Sequence, residues 1–212
     1  MIYEVRTYDL KPQSLPEVEK RFGEAYEKRK KFSELAAFWH TEIGPLNQII
    51  HVWPYKDLEE RARIRAAAVK EGAWPPKTAE FIVNMQSDIM VPFAISPELK
   101  PGKVGPYFEM RVYTYASGEL PKIMKAWEKA LPARLQFGPV TAIWYSELGG
   151  LNKFVHIWPY ETLDQRNSTR DKARAAGAWP PSVVLKKEGL EGYQLLRQEN
   201  KILMPAAFSP LQ

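Results

Sequence analysis

Along residues 2–9 the side chains alternate, and the stretch is rich in Tyr, Val and Thr, the pattern of a strand with two unlike faces. After Pro12 the period lengthens. Ser14 stands where a helix N-cap is expected, Pro16 is early enough to be tolerated, and Glu17 and Glu19 occupy the first turn. Leu15, Val18, Phe22, Ala25 and Tyr26 give this helix an apolar stripe ending near Lys31. Residues 35–43 and 48–54 return to strand patterning, joined by Gly44-Pro45-Leu46-Asn47, which has hairpin-loop chemistry. A helix rich in Ala and Arg is predicted over residues 58–71, stopped by Gly72 and the Pro75-Pro76 pair. Residues 77–84 carry no single period, and 86–95 read as a last strand. The order is β-α-β-β-α-β, the ferredoxin-like arrangement.

The chain then writes this pattern a second time. NQIIHVWPY at 47–55 returns as NKFVHIWPY at 152–160, with His51 and His156 standing 105 residues apart. The same shift carries YEVRTY at 3–8 onto FEMRVY at 108–113, and GAWPP at 72–76 onto GAWPP at 177–181. A period this long is a whole small domain, far beyond a solenoid repeat. The second set of elements is expected over 107–116, 119–135, 140–148, 153–159, 161–176 and 199–208. Met90-Val91-Pro92 corresponds to Leu203-Met204-Pro205 at a shift of 113, so the second copy holds eight extra residues near 183–197. With Gly189 and Gly192 among its charges, that insertion reads as a surface loop or short flexible helix able to cap one site. The domains are expected at 1–97 and 107–212, with 98–106 as a linker rich in Pro, Gly and Lys.

Each half offers a four-stranded sheet with helices on one face. Trp39, Trp53, Trp144 and Trp158 fall in strands, so an uncovered sheet would expose large aromatics. Packing the two sheets face to face gives an α+β fold of two ferredoxin-like repeats, a pseudo-twofold barrel within one chain. Alternation puts Glu4, Arg6 and Tyr8 on one side of the first strand, and Ile49, His51 and Trp53 on one side of the third. With Val5, Ile50 and Val52 placed under the helices, Glu4, Arg6, Tyr8, His51 and Trp53 are expected between the sheets. So are Glu109, Arg111, Tyr113, His156 and Trp158.

Two readings of these residues stay open. One is a polar pocket in which His51 or His156 is the catalytic acid–base group and Arg6 or Arg111 clamps an anion, on a small, partly apolar ligand. The other is a buried Glu–Arg–His network, with Glu4 paired to Arg6, that only fixes packing. Arg61 and Arg65 recur as Arg166 and Arg170 at helical spacing; they suit either an anionic ligand held bidentately or, as the preferred reading, carboxylates across the helix–sheet seam, with Glu42 and Glu147 as the expected partners. Trp74 and Trp179 are expected to plug a helix end, and Gly149-Gly150 to form a hairpin turn.

Composition removes several chemistries. There is no Cys, so disulfides, thiolate nucleophiles and cysteine-ligated metals are excluded. No His has a second ligand at metal-binding spacing, and no Gly-rich phosphate loop or nucleophile elbow is present, so no cofactor or metal is expected. Net charge is +5, but basic residues are interleaved with Glu apart from Lys28-Arg29-Lys30-Lys31, which is read as a solvated helix end. Nucleic acid is not an expected partner. No apolar run approaches the ~20 residues of a membrane span, and no signal peptide is read, so the expected location is cytoplasmic.

The residues that repeat, Tyr3 to Tyr8, Asn47 to Tyr55, then Leu58, Arg61 and Arg65, resemble the NIPSNAP domain, and the resemblance covers both halves. It implies the dimeric α+β barrel superfamily, whose members include cofactor-free monooxygenases, isomerases and haem enzymes. NIPSNAP proteins themselves lack a settled activity. The resemblance therefore implies small-molecule binding with oxygenase- or isomerase-type chemistry. Its alternative is a non-catalytic module for protein or peripheral membrane contact, related to vesicle traffic or mitochondrial signalling. A homo-oligomer is a further expectation. The haem relatives carry their axial His on a helical segment, whereas His51 and His156 fall on strands.

Overall fold

A computed structural model describes residues 1–212. The first half contains β1 (Ile2–Leu10), α1 (Leu15–Arg29), β2 (Ala37–Ile43), β3 (Gln48–Tyr55), α2 (Leu58–Lys70) and β4 (Ile82–Pro92). The second contains β5 (Tyr107–Tyr115), α3 (Leu120–Leu135), β6 (Ala142–Leu148), β7 (Lys153–Tyr160), α4 (Leu163–Ala175), α5 (Pro181–Lys187) and β8 (Leu195–Pro205). Asp57 and Thr162 cap α2 and α4 by accepting the backbone N–H three residues on. Ser14 precedes α1 as expected, but its hydroxyl donates back to the Lys11 carbonyl instead of capping. The patternless stretch before β4 holds a short 3₁₀ turn at Ala79–Phe81, and β4 begins four residues earlier than predicted. The insertion supplies α5 and the loop after it.

Every strand pair is antiparallel. Each half has the order β2-β3-β1-β4 or its counterpart β6-β7-β5-β8, and the halves then share edges. β4 pairs with β6 and β2 with β8, which closes the eight strands into a barrel. A four-stranded sheet alone would leave two rows of unpaired backbone groups; here each half satisfies the other's.

The barrel lumen is lined by Tyr3, Val5, Trp39, Ile50 and Val52 from the first half and Phe108, Met110, Trp144, Val155 and Ile157 from the second. The rings interlock across the pseudo-twofold: Tyr3 stacks on Trp144 at 4.9 Å between centroids, and Phe108 lies 5.3 Å from Trp39. The linker closes this end. Leu99 and Leu211 pack on the cluster, and Gly102 exchanges backbone hydrogen bonds with the C-terminal residues.

The predicted facing is reversed. Val5, Ile50 and Val52 fill the lumen, whereas Glu4, Arg6, Tyr8, His51 and Trp53, with Glu109, Arg111, Tyr113, His156 and Trp158, lie on the helix side. Tyr8 and Trp53 pack with Val18, Phe22 and Ile64 of α1 and α2, and Trp158 packs with Ile123, Trp127 and Leu131 of α3. Alternation separates two faces but does not say which is which when both are covered. The physical decision lies with the arginines: beside the helices they bond Glu4 and Glu109 while their heads still reach water at the seam.

Because β2 and β4 are both edge strands without the second half, residues 1–97 expressed alone should not be a stable monomer. They should pair into a dimer that rebuilds the barrel, or aggregate. Light scattering after size exclusion measures this, and a stable 1–97 monomer would contradict the shared-edge account.

Candidate functional site

At the helix–sheet seam of each half one buried carboxylate gathers several arginines. Glu4, fully buried on β1, accepts from Arg6 Nη1 at 2.7 Å, Arg61 Nη2 at 2.6 Å and the Ser87 hydroxyl at 2.9 Å, with Arg65 at 3.5 Å. Burial alone would raise its pKa. The Arg61 hydrogen bond and the Arg65 and Arg6 charges outweigh burial and hold it at about 2. Glu109 repeats the arrangement with Arg111 at 2.9 Å, Arg166 at 2.5 Å and Arg170 at 3.4 Å. The Glu4–Arg6 pair is as expected. The helix arginines, however, pair with Glu4 and Glu109 rather than with Glu42 and Glu147, because both carboxylates face the helix side, where Arg61, Arg65, Arg166 and Arg170 reach them.

The histidines are deeper. His51 Nδ1 accepts the Trp53 indole N–H at 2.7 Å, and His156 Nδ1 accepts that of Trp158 at 2.6 Å. Burial, then the Arg6 charge, lowers the His51 pKa to about 3; burial and Arg111 likewise push His156 down. Each ring is therefore neutral with its proton on Nε2, and Nε2 has no partner. Around His51 stand Tyr8 at 4.9 Å, Phe22 at 5.4 Å and Phe38 at 5.6 Å. With Nδ1 occupied, such a ring can donate a hydrogen bond but has no lone pair free to take a proton.

Sequence reasoning missed Arg29 and Arg134. Arg29, read as part of a solvated helix end, is 2% exposed; it donates to the Tyr55 hydroxyl at 3.1 Å and lies 4.5 Å above the Trp53 ring. Arg134 repeats this 4.2 Å above Trp158. The signal was present, since the two stand at the 105-residue shift.

The halves part company beside α5. There a cavity of about 280 Å³ is walled by Tyr113, Tyr115, Trp127, Trp179 and Tyr193, with Ser182 and Gln198 as polar members. Tyr115 and Tyr193 meet at 5.4 Å and 86°, and Trp127 and Trp179 at 4.8 Å and 86°. Arg111 Nε donates to the Tyr113 hydroxyl at 2.6 Å and fixes that wall. His156 stands behind it, 4.9 Å from Tyr113 and 4.7 Å from Trp127. In the first half the shorter connection packs Phe81 and Ile82 against the corresponding cluster. Trp74 and Trp179 pack on these clusters as the expected plugs, and Trp179 also forms cavity wall.

Two measurements follow. Glu4→Gln should destabilise the fold by about 3–5 kcal/mol, because it leaves Arg6 and Arg61 facing a neutral group; equilibrium urea unfolding reads it. Acid should act through the histidines. Their folded pKa values lie below the unfolded value of about 6.5, so their contribution is complete above that pH and is lost as the pH falls below it, for His51 toward about 3. Glu4 adds to the loss from about 4.5 toward about 2. His40, raised by its 2.7 Å pair with Glu19, works with the opposite sign. A His51→Phe/His156→Phe variant should show a flatter melting temperature between about pH 6.5 and 5 than the parent.

The sequence and fold match known proteins. The NIPSNAP family model matches residues 3–97 and 108–210. The chain is 31% identical to protein NipSnap homolog 3B of Homo sapiens, over 99% of this chain and 85% of that one. It is 29% identical to the human NipSnap homolog 3A over 100% of this chain and 86% of the other. Among solved structures, a monooxygenase-like protein of Lactobacillus acidophilus superposes with a TM-score of 0.61 at 11% identity, over 97% of this chain and 94% of that one. An anthrone oxidase-like protein superposes at 0.60 and 8% identity, over 96% and 90%. These two likenesses are likenesses of fold. With its two matched segments and its full-length relatives, the chain belongs to the NIPSNAP family.

Proposed function

We propose that the protein binds one small, partly apolar, aromatic molecule in the seam of its second half. The observation that carries this is the aromatic-walled cavity beside the insertion, which takes Ser182 from the start of α5 and Tyr193 from the added segment. Aromatic walls with a few polar groups are the usual make-up of a small-molecule site. Arg111, His156 and Trp158 support the walls rather than line them, and Glu109 holds Arg111 in place. Arg6, His51 and Trp53 do the same for a first-half seam that is packed shut. The reading is of binding: His156 offers a donor N–H and no free base.

The insertion is suited to admit a ligand. It is strapped to α3 by Lys122–Glu191 at 3.2 Å and Lys129–Glu188 at 2.5 Å, both between half- to well-exposed side chains. Exposed pairs of this kind contribute about 0–1 kcal/mol each, so the strap opens at little expense while the barrel stays closed. Gly189 at φ +67° ends α5 and lets the chain turn away.

Titration with 1-naphthol, followed by quenching of tryptophan fluorescence, should give one site per chain. Trp179→Ala and Tyr193→Ala should each weaken binding about tenfold. Deleting residues 187–194 should change affinity more than melting temperature. Two equivalent sites per chain, or a deletion without effect on affinity, would overturn the proposal.

A further inference from the structure

Glu4, Arg6, Tyr8, His51 and Trp53 recur unchanged in the second half, but the polar wall at the open end of the barrel does not. Opposite the linker plug lies a second cavity of about 340 Å³, in the size class of small-molecule pockets. Its floor is apolar: Val5, Met90, Met110, Val112 and Val155. Its wall is built from positions related by the internal repeat, and those positions have diverged in charge. Gln48 is matched by Lys153, Asn84 by Arg197, Gln86 by Glu199 and Asp88 by Lys201. Over the same strands, Glu4, Arg6, Tyr8, His51 and Trp53 are matched by identical residues. On the helix side of these strands Glu4 and Arg6 keep their charge as Glu109 and Arg111, so the divergence in charge lies on the lumen face.

Most of this wall is already paired. Asp88 takes Lys153 at 3.1 Å, Gln86 Nε2 at 2.7 Å and the Gly150 N–H at 3.1 Å. Asp9 takes Gln48 Nε2 at 2.6 Å and Asn84 Nδ2 at 3.1 Å. Arg197 is bound to Glu199 at 3.1 Å, at the exposed rim. Lys201 is different. It is half-buried, has no carboxylate within ion-pair distance, and its Nζ donates only to the neutral Gln48 Oε1 at 2.5 Å. Two of its three donors are left over. Burial lowers its pKa from the ordinary lysine value, and the Glu199 and Asp9 charges, neither within ion-pair distance, offset this only in part.

We propose that this open end is a second binding site, for a small organic monocarboxylate. The carboxylate takes the donors that Lys201 has left over and gives it a directly bonded anion, and the hydrocarbon body lies on Met90, Met110 and the valines. A dianion is disfavoured, because Asp9, Asp88 and Glu199 face the same space. A neutral molecule of the same shape would leave Lys201 as it is.

Hexanoate and 1-hexanol are matched probes. With methyl-labelled methionine, hexanoate should shift the Met90 and Met110 resonances in a saturable way at one site per chain. Hexanol should bind at least about tenfold more weakly. Lys201→Met should weaken hexanoate by about tenfold or more and bring it level with hexanol. That variant removes a desolvated charge, so its melting temperature should not fall. Tyr193→Ala, in the other cavity, should leave hexanoate binding unchanged. The proposal is overturned if millimolar hexanoate leaves both methyl groups unmoved or if Lys201→Met binds it like the parent. It is also overturned if Tyr193→Ala rather than Lys201→Met abolishes binding, which would place the carboxylate in the aromatic cavity.

Discussion

The shared edges between halves are the constraint on which the molecule depends. Once β4 is paired to β6 and β2 to β8, both faces of every sheet are covered, one by helices and one by the opposite sheet. β3 and β7 are accordingly buried almost throughout. A strand buried on both faces must hold its polar side chains by pairing them. The Glu4 and Glu109 networks, the indole–imidazole bonds and the stacked Arg29 and Arg134 all meet that demand. Loss of any carboxylate at the seam therefore strands cations that closure has already removed from most of the water.

The two faces of the barrel wall serve different ends. On the helix side, the repeated Glu, Arg, Tyr, His and Trp make the same contacts at nearly the same distances in both halves: 2.6 Å from Arg6 Nε to Tyr8 and 2.6 Å from Arg111 Nε to Tyr113. Identity of residue and of geometry is what a packing requirement produces. The differences that bear on a cavity fall in two places: beside α5, where eight residues were added, and at the open mouth, where charges differ. Gly149 shows how tightly the mouth is built. It sits at φ +99°, and a Cβ there would collide with Asp88, so the turn approaches the carboxylate only as glycine.

The sequence shows the repeat, the element order and the barrel because the 105-residue shift and the changes of period are local facts about the chain. It does not show which side of β1 meets the helices. Tyr3 and Val5 on one face and Tyr8 beside Arg6 on the other are both buried, so hydrophobic alternation carries no sign. The partners of Arg61 and Arg65 depended on that sign, and Glu42 took the place that belongs to Glu4. Arg29 was hidden in a run of lysines. The lumen pairs were obscured by the insertion, since β4 and β8 correspond at a shift of 113 and Asp88 lines up with Lys201 only after the eight residues are discounted.

Joining the two copies in one chain has a consequence for symmetry. In a dimer of identical subunits, an axis through the lumen places each side chain opposite its own copy, and any dipole across that axis cancels. A position holding Asp88 would meet a second aspartate, and one holding Lys201 a second lysine. The linker removes that restriction. The wall can then be acidic and amide-bearing on one side and basic on the other, giving a transverse field that an assembly of identical units cannot hold.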